Sequence, residues 1–381
     1  MVKMKVLMIG SPYDPSNPLK DQTVAHYISS ALENNGASVI KFTPERLWYD
    51  KLLLFKKAFY RAIGKRYFVE RTELVFKHLA KQINNKIQDT DHDFVFSFGS
   101  MPHVFLNHKK PFAFWTDATF NSLKNYYSSY TNVEKYQSEF MFKVEKEVFE
   151  NSYKMFFASD WASKSAINDY DINPDKVITI PFGANLPEKV DDQRVQNSIN
   201  DKLGHELEMI WIGVDWERKG GDILISLARA FNEMDVKCKF NIVGLTATAP
   251  ADVKNNFIFH GFLSKNNQSE FNKLKELFYR SHFHILPTKA EAFGHVFAEA
   301  NAFALPNIAF RTGGVPTAIN AGKNGYLFNL ETSPKDIAEF VASTFKNKEE
   351  YVEICRSSKD FYENEINWDS SIRKILNHIN L

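Results

Sequence analysis

The sequence has few cysteines and almost no net charge. Its 381 residues include two cysteines, Cys238 and Cys355, which are too few for a disulfide framework and lack the spacing of metal ligands. The 47 basic and 46 acidic side chains leave a net charge of +1, so global electrostatics do not indicate nucleic-acid binding. We therefore expect a soluble globular protein of a reducing compartment, in which both cysteines serve packing.

Long apolar segments are also missing. No run approaches the roughly 20 apolar residues that span a bilayer. The apolar run near Met1 stops at Gly10, without the longer apolar core and cleavage site of a secretory signal. No Gly-x-Gly-x-x-Gly follows this run, which argues against a dehydrogenase. We expect a cytoplasmic protein, at most peripheral at the inner face of a membrane.

The sequence does contain two series of short apolar runs separated by helical patterns. The first opens with Val6–Ile9, a helix at about 21–34 and a strand at 37–42, and it continues with strands at 94–98, 111–115 and 177–181. The second series has strands at 208–213, 239–244, 257–259, 283–286 and 307–310. Two such series predict an α/β fold of two Rossmann-like, doubly wound domains that face each other across a cleft. The polar residues 184–204 interrupt the pattern, and we interpret them as the hinge.

Two glutamates, Glu291 and Glu299, follow the strand that ends at Leu286. Gly294 between them lets the backbone approach a ligand and marks the start of a helix, whose first amides near His295 and Val296 would point at an anion. Ionised carboxylates accept hydrogen bonds only, so Glu299 suits a ribose diol and Glu291 suits sugar hydroxyls. The alternative is a surface helix with two unrelated glutamates.

Two glycine-containing loops follow other strands. Arg218 and Lys219 stand beside Gly220 and Gly221, and together they offer a diphosphate charge-assisted donors and room. The loop at 311–316 combines Gly-Gly with a proline that fits a first helical position. Ordinary turns are the alternative interpretation of both loops.

These motifs together resemble glycosyltransferase family 4, the large retaining group with the GT-B fold. The resemblance is strong over about residues 150–330. It is carried by motifs that occur in order: Ser159-Asp160-Trp161, Ile180-Pro181-Phe182-Gly183, Trp211-Ile212-Gly213, Arg218-Lys219-Gly220, Gly244, His260-Gly261-Phe262, Glu291 with Glu299, Gly313-Gly314-Val315-Pro316 and Gly325-Tyr326-Leu327-Phe328.

The resemblance implies an acceptor-binding domain at 1–186 and a nucleotide-sugar-binding domain at 187–360, with a helix at about 361–381 that crosses back onto the first domain. It implies a hexosyltransferase that uses a UDP- or GDP-linked sugar and a glycan or lipid-linked acceptor.

The resemblance also assigns roles to the site residues. Arg218 and Lys219 would neutralise the donor diphosphate, and Glu299 would bind the ribose. Glu291 would hold the sugar together with the backbone of Phe293, Gly294, His295 and Val296. Gly213, Gly244 and Phe262 complete the donor site. No cofactor or metal is expected, because Lys219 can itself neutralise phosphate. The resemblance implies that transfer retains the anomeric configuration. Because no carboxylate nucleophile is evident in the sequence, we favour a front-face mechanism.

Three departures from the family pattern concern the site. Val214 stands where the family commonly has arginine, so one diphosphate contact is either missing or supplied by Arg218 alone. Asp117 stands where the family often has a histidine, and it could bind sugar hydroxyls, assist the acceptor hydroxyl, or simply cap a loop. The glycine-rich amino-terminal loop is replaced by one with Ser11, Ser16, Asn17 and Lys20, which we expect on the acceptor side.

Residues 46–81 mix basic and aromatic side chains at helical spacing. Such a segment could dock on anionic lipid, or its apolar stripe could be core with the basic side chains as its wet face. A catalytically inactive nucleotide-sugar-binding protein and a sugar-nucleotide epimerase of the same fold are the alternative functions; an exported sugar-binding protein fits poorly because no signal peptide is evident.

Overall fold

The computed structural model describes residues 4–13, 23–48 and 53–379. The chain forms two compact units, which are Met1–Pro181 with Trp368–Leu381 (unit 1) and Phe182–Asn367 (unit 2). The units divide after residues 181 and 367, whereas the divisions predicted from the sequence lie after residues 186 and 360. Each unit contains one six-stranded sheet in which all the neighbouring strands are parallel. The predicted α/β fold with two Rossmann-like sheets is confirmed.

The sheet of unit 1 has the strand order β2-β1-β3-β4-β5-β6. Its strands are β1 (Lys5–Ile9), β2 (Ser38–Phe42), β3 (Phe94–Phe98), β4 (Phe112–Thr116), β5 (Lys154–Phe157) and β6 (Val177–Thr179). Its helices are α1 (Val24–Asn34), α2 (Leu54–Ala62), α3 (Glu73–Gln88), α4 (Phe120–Leu123), α5 (Lys135–Asn151) and α6 (Asp160–Asn168). Residues 94–96 of β3 are fully buried, as expected for a strand covered on both faces.

The sheet of unit 2 has the order β12-β11-β10-β7-β8-β9. Its strands are β7 (Leu207–Ile212), β8 (Cys238–Val243), β9 (Phe257–Phe259), β10 (Phe283–Leu286), β11 (Asn307–Phe310) and β12 (Gly325–Phe328). Its helices are α7 (Asp192–Asp201), α8 (Gly221–Glu233), α9 (Gln268–Arg280), α10 (His295–Ala302), α11 (Val315–Ala318), α12 (Pro334–Lys346) and α13 (Lys348–Asn364). The last helix, α14 (Trp368–Ile379), belongs to unit 1.

Strands β5 and β12 were not predicted. β5 follows α5 after Ser152 and Tyr153 without a glycine or proline, and four residues are too few for a periodic pattern to separate strand from helix. β12 was noticed only as a motif. Their place in the sheets comes from pairing with neighbouring strands, β4 for the first and β11 for the second.

The segment interpreted as a hinge is largely helical. Within residues 184–204 the structure forms α7, which lies in unit 2 and buries Val195 and Ile199. The Asp191 carboxylate caps this helix by accepting from the Arg194 N–H at 3.1 Å. Two apolar residues spaced by four give a narrow buried stripe, and the surrounding polar residues conceal it in the sequence.

Helix α14 packs within unit 1 through an aromatic contact. The Trp368 ring stacks on Tyr27 with centroids 5.9 Å apart and meets the edge of Trp115 at 5.5 Å. The Ser371 hydroxyl donates to the Pro181 carbonyl at 2.8 Å. The helix thus begins at residue 368, later than the predicted start near 361.

Cys238 and Cys355 are both buried free thiols. Across the residues that the structure describes, every helix is too short or too polar to cross a lipid bilayer.

Gly244, directly after β8, lies against the loop that follows β7. Its φ is +109°, and a Cβ built on it would stand 2.3 Å from the Gly213 carbonyl oxygen. Its N–H donates to the Gly261 carbonyl at 2.8 Å. Both the backbone conformation and the space therefore require glycine at this position.

Replacing Ile199 by alanine should destabilise the protein by about 2–4 kcal/mol, because the change leaves a cavity under α7. Urea unfolding measures this loss. Gln196→Ala, at an exposed position of the same helix, is the control and should cost less than about 0.5 kcal/mol. Equal small effects from both substitutions would show that α7 is not packed.

Gly244→Ala should cost at least about 1–3 kcal/mol of unfolding free energy, because it combines a strained φ with a backbone clash. Gly204→Ala is the matched control, since no atom lies within 4 Å of its Cβ and its φ is not in the left-handed region. Thermal unfolding of the two variants should separate them clearly; equal stability would contradict the close approach.

Candidate active site

The loops that follow β7 and β10 meet at the carboxyl edge of the sheet in unit 2. The two strands are neighbours, so their carboxyl ends lie side by side. The Lys289 N–H donates to the Arg218 carbonyl at 2.8 Å, and the Thr288 hydroxyl donates to the same oxygen at 3.3 Å. These bonds join two loops that are distant in sequence. Ligand sites of open parallel sheets lie at this edge.

The joined loops bring Arg218, Lys219 and Glu291 together. The Lys219 ammonium forms an ion pair and hydrogen bond with Glu291 Oε2, and Arg218 Nη1 lies 3.5 Å from the same oxygen. The side chains of Lys219 and Glu291 are largely buried. The three residues, predicted from separate motifs, therefore form one charged cluster.

Further contacts fix the orientation of the Arg218 guanidinium. Its Nη1 donates to the Ala290 carbonyl at 2.8 Å, and its Nε lies 3.2 Å from Asp215 Oδ2. Behind it, the Trp211 indole N–H donates to the Lys219 carbonyl at 3.0 Å. Hydrogen bonds to the backbone of both loops thus position two cations. Recognition of an anion such as a carboxylate or phosphate requires cations held in this way.

Helix α10 begins directly after Gly294, at the predicted position. Gly294 has φ +87°, and a Cβ there would come within 2.6 Å of the Phe297 ring. The first amides of the helix, at His295 and Val296, lie at the end where backbone N–H groups have no partner in a preceding turn. The loop is held from the other side, since the Gly314 N–H donates to the Glu291 carbonyl at 2.9 Å.

The side chains of Phe293 and His295 pack inside unit 2. The His295 ring stacks on Phe182 at 5.1 Å, and its Nδ1 lies 3.1 Å from the Gly183 carbonyl. Burial lowers the pKa of His295, with a smaller opposing effect from the Gly183 carbonyl. Phe293 meets Phe182 edge to face at 5.4 Å. The side chains of these two residues are thus engaged in packing within the unit.

Glu299 lies one turn into α10 and is paired with a residue that the sequence analysis missed. Its side chain is only 4% exposed, and its Oε1 lies 2.5 Å from the Lys265 ammonium. Lys265 also donates to the Asn185 carbonyl at 3.0 Å. The sequence offered one indication of this residue, which is that Lys265 follows the His260-Gly261-Phe262 motif in the loop after β9. A single lysine in a polar loop is too common to predict a binding role.

The other predicted donor-site residues lie on neighbouring loops of unit 2. Gly213 and Gly244 are in contact, as described above. Val214 is exposed and offers no charge, which agrees with the departure noted in the sequence. Phe262 is also exposed. Of the predicted set, the structure thus joins Arg218, Lys219 and Glu291 most closely.

Ser11 and Asp117 line a cavity of about 410 Å³ in unit 1. The cavity lies where β1, β3 and β4 end, at the carboxyl edge of the sheet. It is also lined by residues that the sequence analysis did not propose, among them Glu70, Arg71, Ser100, Tyr127, Tyr130 and Glu145. Ser16, Asn17 and Lys20, predicted in the same loop as Ser11, lie outside the described residues.

Glu145 forms a buried wall of this cavity. It accepts from the Ser100 hydroxyl at 2.9 Å, from the Phe120 N–H at 2.8 Å and from the Tyr170 hydroxyl. Burial raises the pKa of Glu145, although these three donors act in the opposite direction. A lone glutamate in a helix rich in Lys and Glu gave no sign of this role.

Arg71 and Tyr130 form a second wall. Arg71 Nη2 donates to the Tyr130 hydroxyl at 2.7 Å, and the guanidinium lies 5.2 Å from the Tyr130 ring centroid. Burial raises the pKa of Tyr130; Arg71 lowers it and Asp117 raises it to a smaller extent. Hydroxyls, carboxyls, a guanidinium and aromatic rings around one cavity suit a hydroxyl-rich ligand.

Within the described part of the chain, no group of three or more His, Cys, Asp or Glu side chains could hold a metal ion. The sequence motif Asp91-His92-Asp93 is engaged at the start of β1 instead, where Asp91 pairs with the Lys5 ammonium and Asp93 accepts from the Lys5 N–H at 2.8 Å.

Comparison with known proteins finds a family match within the second unit. Residues 192–362 match the family described as Glycosyl transferases group 1. The chain is 26% identical over 171 residues to an uncharacterized glycosyltransferase of Methanocaldococcus jannaschii, an alignment that covers 43% of this chain and 45% of the relative. It is 25% identical over 224 residues to the D-inositol 3-phosphate glycosyltransferase of Corynebacterium diphtheriae, covering 56% and 52% respectively. The chain thus spans about half the length of these curated relatives.

Solved structures match over nearly the whole chain. Sucrose-phosphate synthase from Thermosynechococcus elongatus has a TM-score of 0.69 at 14% identity and covers 98% of both chains. The Anabaena protein HepE, solved in complex with UDP, has a TM-score of 0.64 at 15% identity and covers 99% of both chains. Identities this low establish the fold alone. The chain therefore has the GT-B fold, and its residues 192–362 match the group 1 glycosyl transferase family.

Proposed function

We propose that the protein is a retaining glycosyltransferase of family 4 that transfers a sugar from a UDP- or GDP-linked donor to a glycan or lipid-linked acceptor. The observation that carries this proposal is the cluster of Arg218, Lys219 and Glu291 at the carboxyl edge of the group 1 domain. The similarity in fold to a protein solved with UDP and with UDP-glucose supports a nucleotide-sugar donor.

Arg218 and Lys219 would bind the donor diphosphate. In the structure their charges are balanced by Asp215 and Glu291, and a diphosphate would be a further anionic partner of the two cations. Glycosyl transfer builds negative charge on the departing diphosphate, and fixed cations stabilise that charge without reorganising. Two cations in place also make a metal ion unnecessary for the leaving group.

Glu291 and Glu299 would bind the sugar and the ribose. Both carboxylates are held by lysines, which fixes their oxygens as acceptors for hydroxyl groups. The pairing of Glu291 with Lys219 makes it a poor nucleophile, because the lysine competes for its electron pairs. For the retaining transfer that we propose, this arrangement favours attack on the same face from which the diphosphate departs over a covalent glycosyl–enzyme intermediate.

The cavity of unit 1 would hold the acceptor. Asp117 follows β4 at its edge and would orient or deprotonate the attacking hydroxyl, while Ser11 would contact the acceptor. A glycan fits the polar and aromatic lining. We place the reaction in the cytoplasm, where nucleotide sugars are available.

A catalytically inactive nucleotide-sugar-binding protein is the alternative. The exposed Val214 favours it, because one expected diphosphate contact is absent. Binding without turnover would identify this alternative, and interconversion of the nucleotide sugar itself would identify an epimerase.

Replacing Glu299 by glutamine should weaken binding of the cognate nucleotide roughly 10- to 100-fold, because a charged acceptor of the ribose hydroxyls is lost. A thermal-shift screen with UDP, GDP, ADP and CMP measures this change through linkage. Glu331→Gln, at an exposed position of unit 2, is the control. No stabilisation of the wild type by any nucleotide at millimolar concentration would refute the donor site.

Lys219→Ala should lower kcat about 10²- to 10³-fold, since a cation that faces the developing charge is removed. The assay measures release of UDP or GDP from a nucleotide sugar, whose nucleotide is chosen by the thermal-shift screen. Lys289→Ala is a suitable comparison, because Lys289 lies on the adjoining loop but pairs with Asp222 at 2.8 Å. Equal activity of the two variants would remove Lys219 from the mechanism.

Asp117→Asn should reduce transfer by about 10²-fold or more while leaving nucleotide-induced stabilisation unchanged, because Asp117 lies in unit 1. Asp89→Asn, at an exposed helix end of the same unit, should be neutral.

Proton NMR of the first product gives its anomeric configuration. Inversion would contradict the retaining mechanism.

A further inference from the structure

Helix α2 exposes its apolar side chains. None of its nine residues is buried, and Phe55, Phe59 and Leu54 are 79%, 61% and 51% exposed. Ile63, directly after the helix, is exposed as well. At roughly 100° per residue, Phe55, Phe59 and Ile63 lie within about 80° of one another on one side of the helix, and Leu54 lies about 100° from Phe55, at the edge of that side. A helix of a soluble unit normally buries that side, and a contiguous exposed apolar patch marks an interaction surface.

The helix is attached to unit 1 through a different side. The Tyr60 ring stacks on Tyr67 with centroids 5.0 Å apart. The following turn is held by the backbone, since the Asn132 side-chain amide donates to the Gly64 carbonyl at 2.6 Å and the Arg66 N–H donates to the Asn132 carbonyl at 2.9 Å. Tyr60 lies on the opposite side of α2 from Phe55. The attachment therefore leaves the apolar side exposed.

The neighbouring helix, α3, differs from α2 in the burial of its apolar side chains. The sequence pattern of residues 46–81 continues from α2 into α3, but α3 buries most of its apolar residues, among them Val75, Leu79 and Ile83. The interpretation of the whole segment as core with a wet basic face thus applies to α3 and is wrong for α2. Residues 49–52 lie outside the described part.

The polar side of α2 and the turn after it are entirely basic. Residues 53–69 contain five basic side chains and no acidic one: Lys56, Lys57, Arg61, Lys65 and Arg66. Within the described residues none of the five forms an ion pair, so no described carboxylate of unit 1 neutralises their charge. Lys56 and Arg61 border the apolar side at its two edges.

We propose that α2 docks unit 1 on the surface of a membrane that contains anionic lipids. Aromatic and aliphatic side chains enter the interface between headgroups and acyl chains, while flanking lysines and arginines pair with anionic headgroups. A second copy of the chain is a poor occupant, because a symmetric contact would bring the same five cations against each other. The proposal concerns unit 1 and goes beyond the transfer reaction.

Co-sedimentation of the full chain with vesicles tests the proposal. We expect the protein to sediment with phosphatidylcholine vesicles that contain 30% phosphatidylglycerol, a proportion of about one anionic lipid in three that gives a negative surface. We expect little sedimentation with phosphatidylcholine alone, and release from the anionic vesicles as salt is raised. Equal binding to both vesicles, or binding to neither, would overturn the proposal.

Two variants and two controls locate the surface. Two double variants should each weaken partitioning at least about tenfold: Phe55→Ser with Phe59→Ser, and Lys56→Glu with Lys57→Glu. For the lysine variant the reason is that one basic residue near an anionic surface contributes roughly fivefold. Leu330→Ser and Lys346→Glu with Lys348→Glu, all at exposed positions of unit 2, should bind like the wild type. Unchanged binding of both α2 variants would overturn the assignment.

Folding and self-association are checked on the same samples. All the replaced side chains of α2 are exposed, so the thermal midpoint and the nucleotide-induced shift should match those of the wild type. A failed donor site would change the nucleotide shift and leave vesicle binding intact, which separates the two proposals. A wild-type dimer that either α2 variant converts to a monomer would show that a second copy occupies the surface instead.

Discussion

The whole site depends on the geometry of parallel strands. Every strand of a parallel sheet delivers its carboxyl end to the same edge, so loops that are remote in sequence become neighbours there. In unit 2 this constraint places the loop after β7 against the loop after β10. In unit 1 it gathers the ends of β1, β3 and β4 around one cavity. Both candidate binding regions follow from one rule of sheet topology.

Charge pairing then decides what the loops of unit 2 can do. Buried or half-buried charges are tolerated when partners and hydrogen bonds compensate their loss of hydration. Glu291 with Lys219, and Glu299 with Lys265, satisfy this requirement within the unit itself. The same pairing fixes the side chains in place, which is the property that a site for an anionic, hydroxyl-rich ligand needs.

Periodicity in a helix identifies an apolar side but not what covers it. The pattern in α2 and α3 is the same mixture of basic and apolar residues, yet α3 lies in the core and α2 does not. The difference arises from the rings of Tyr60 and Tyr67 and from the backbone bonds of Gly64 and Arg66, which attach α2 by its other side. Similarly, α7 was mistaken for a hinge because its buried stripe is narrow.

The sequence by itself determined the α/β class, the two parallel sheets and the loops that carry Arg218, Lys219, Glu291 and Gly294. These features are local: apolar runs of strand length, glycines at turns and charged residues just beyond them. Only the tertiary structure decided that Lys265 holds Glu299, that Glu145 and Arg71 line the cavity with Asp117, and that α2 faces outward. Those results depend on side chains brought together from distant positions. A single sequence records the identity of such residues but not the distances between them.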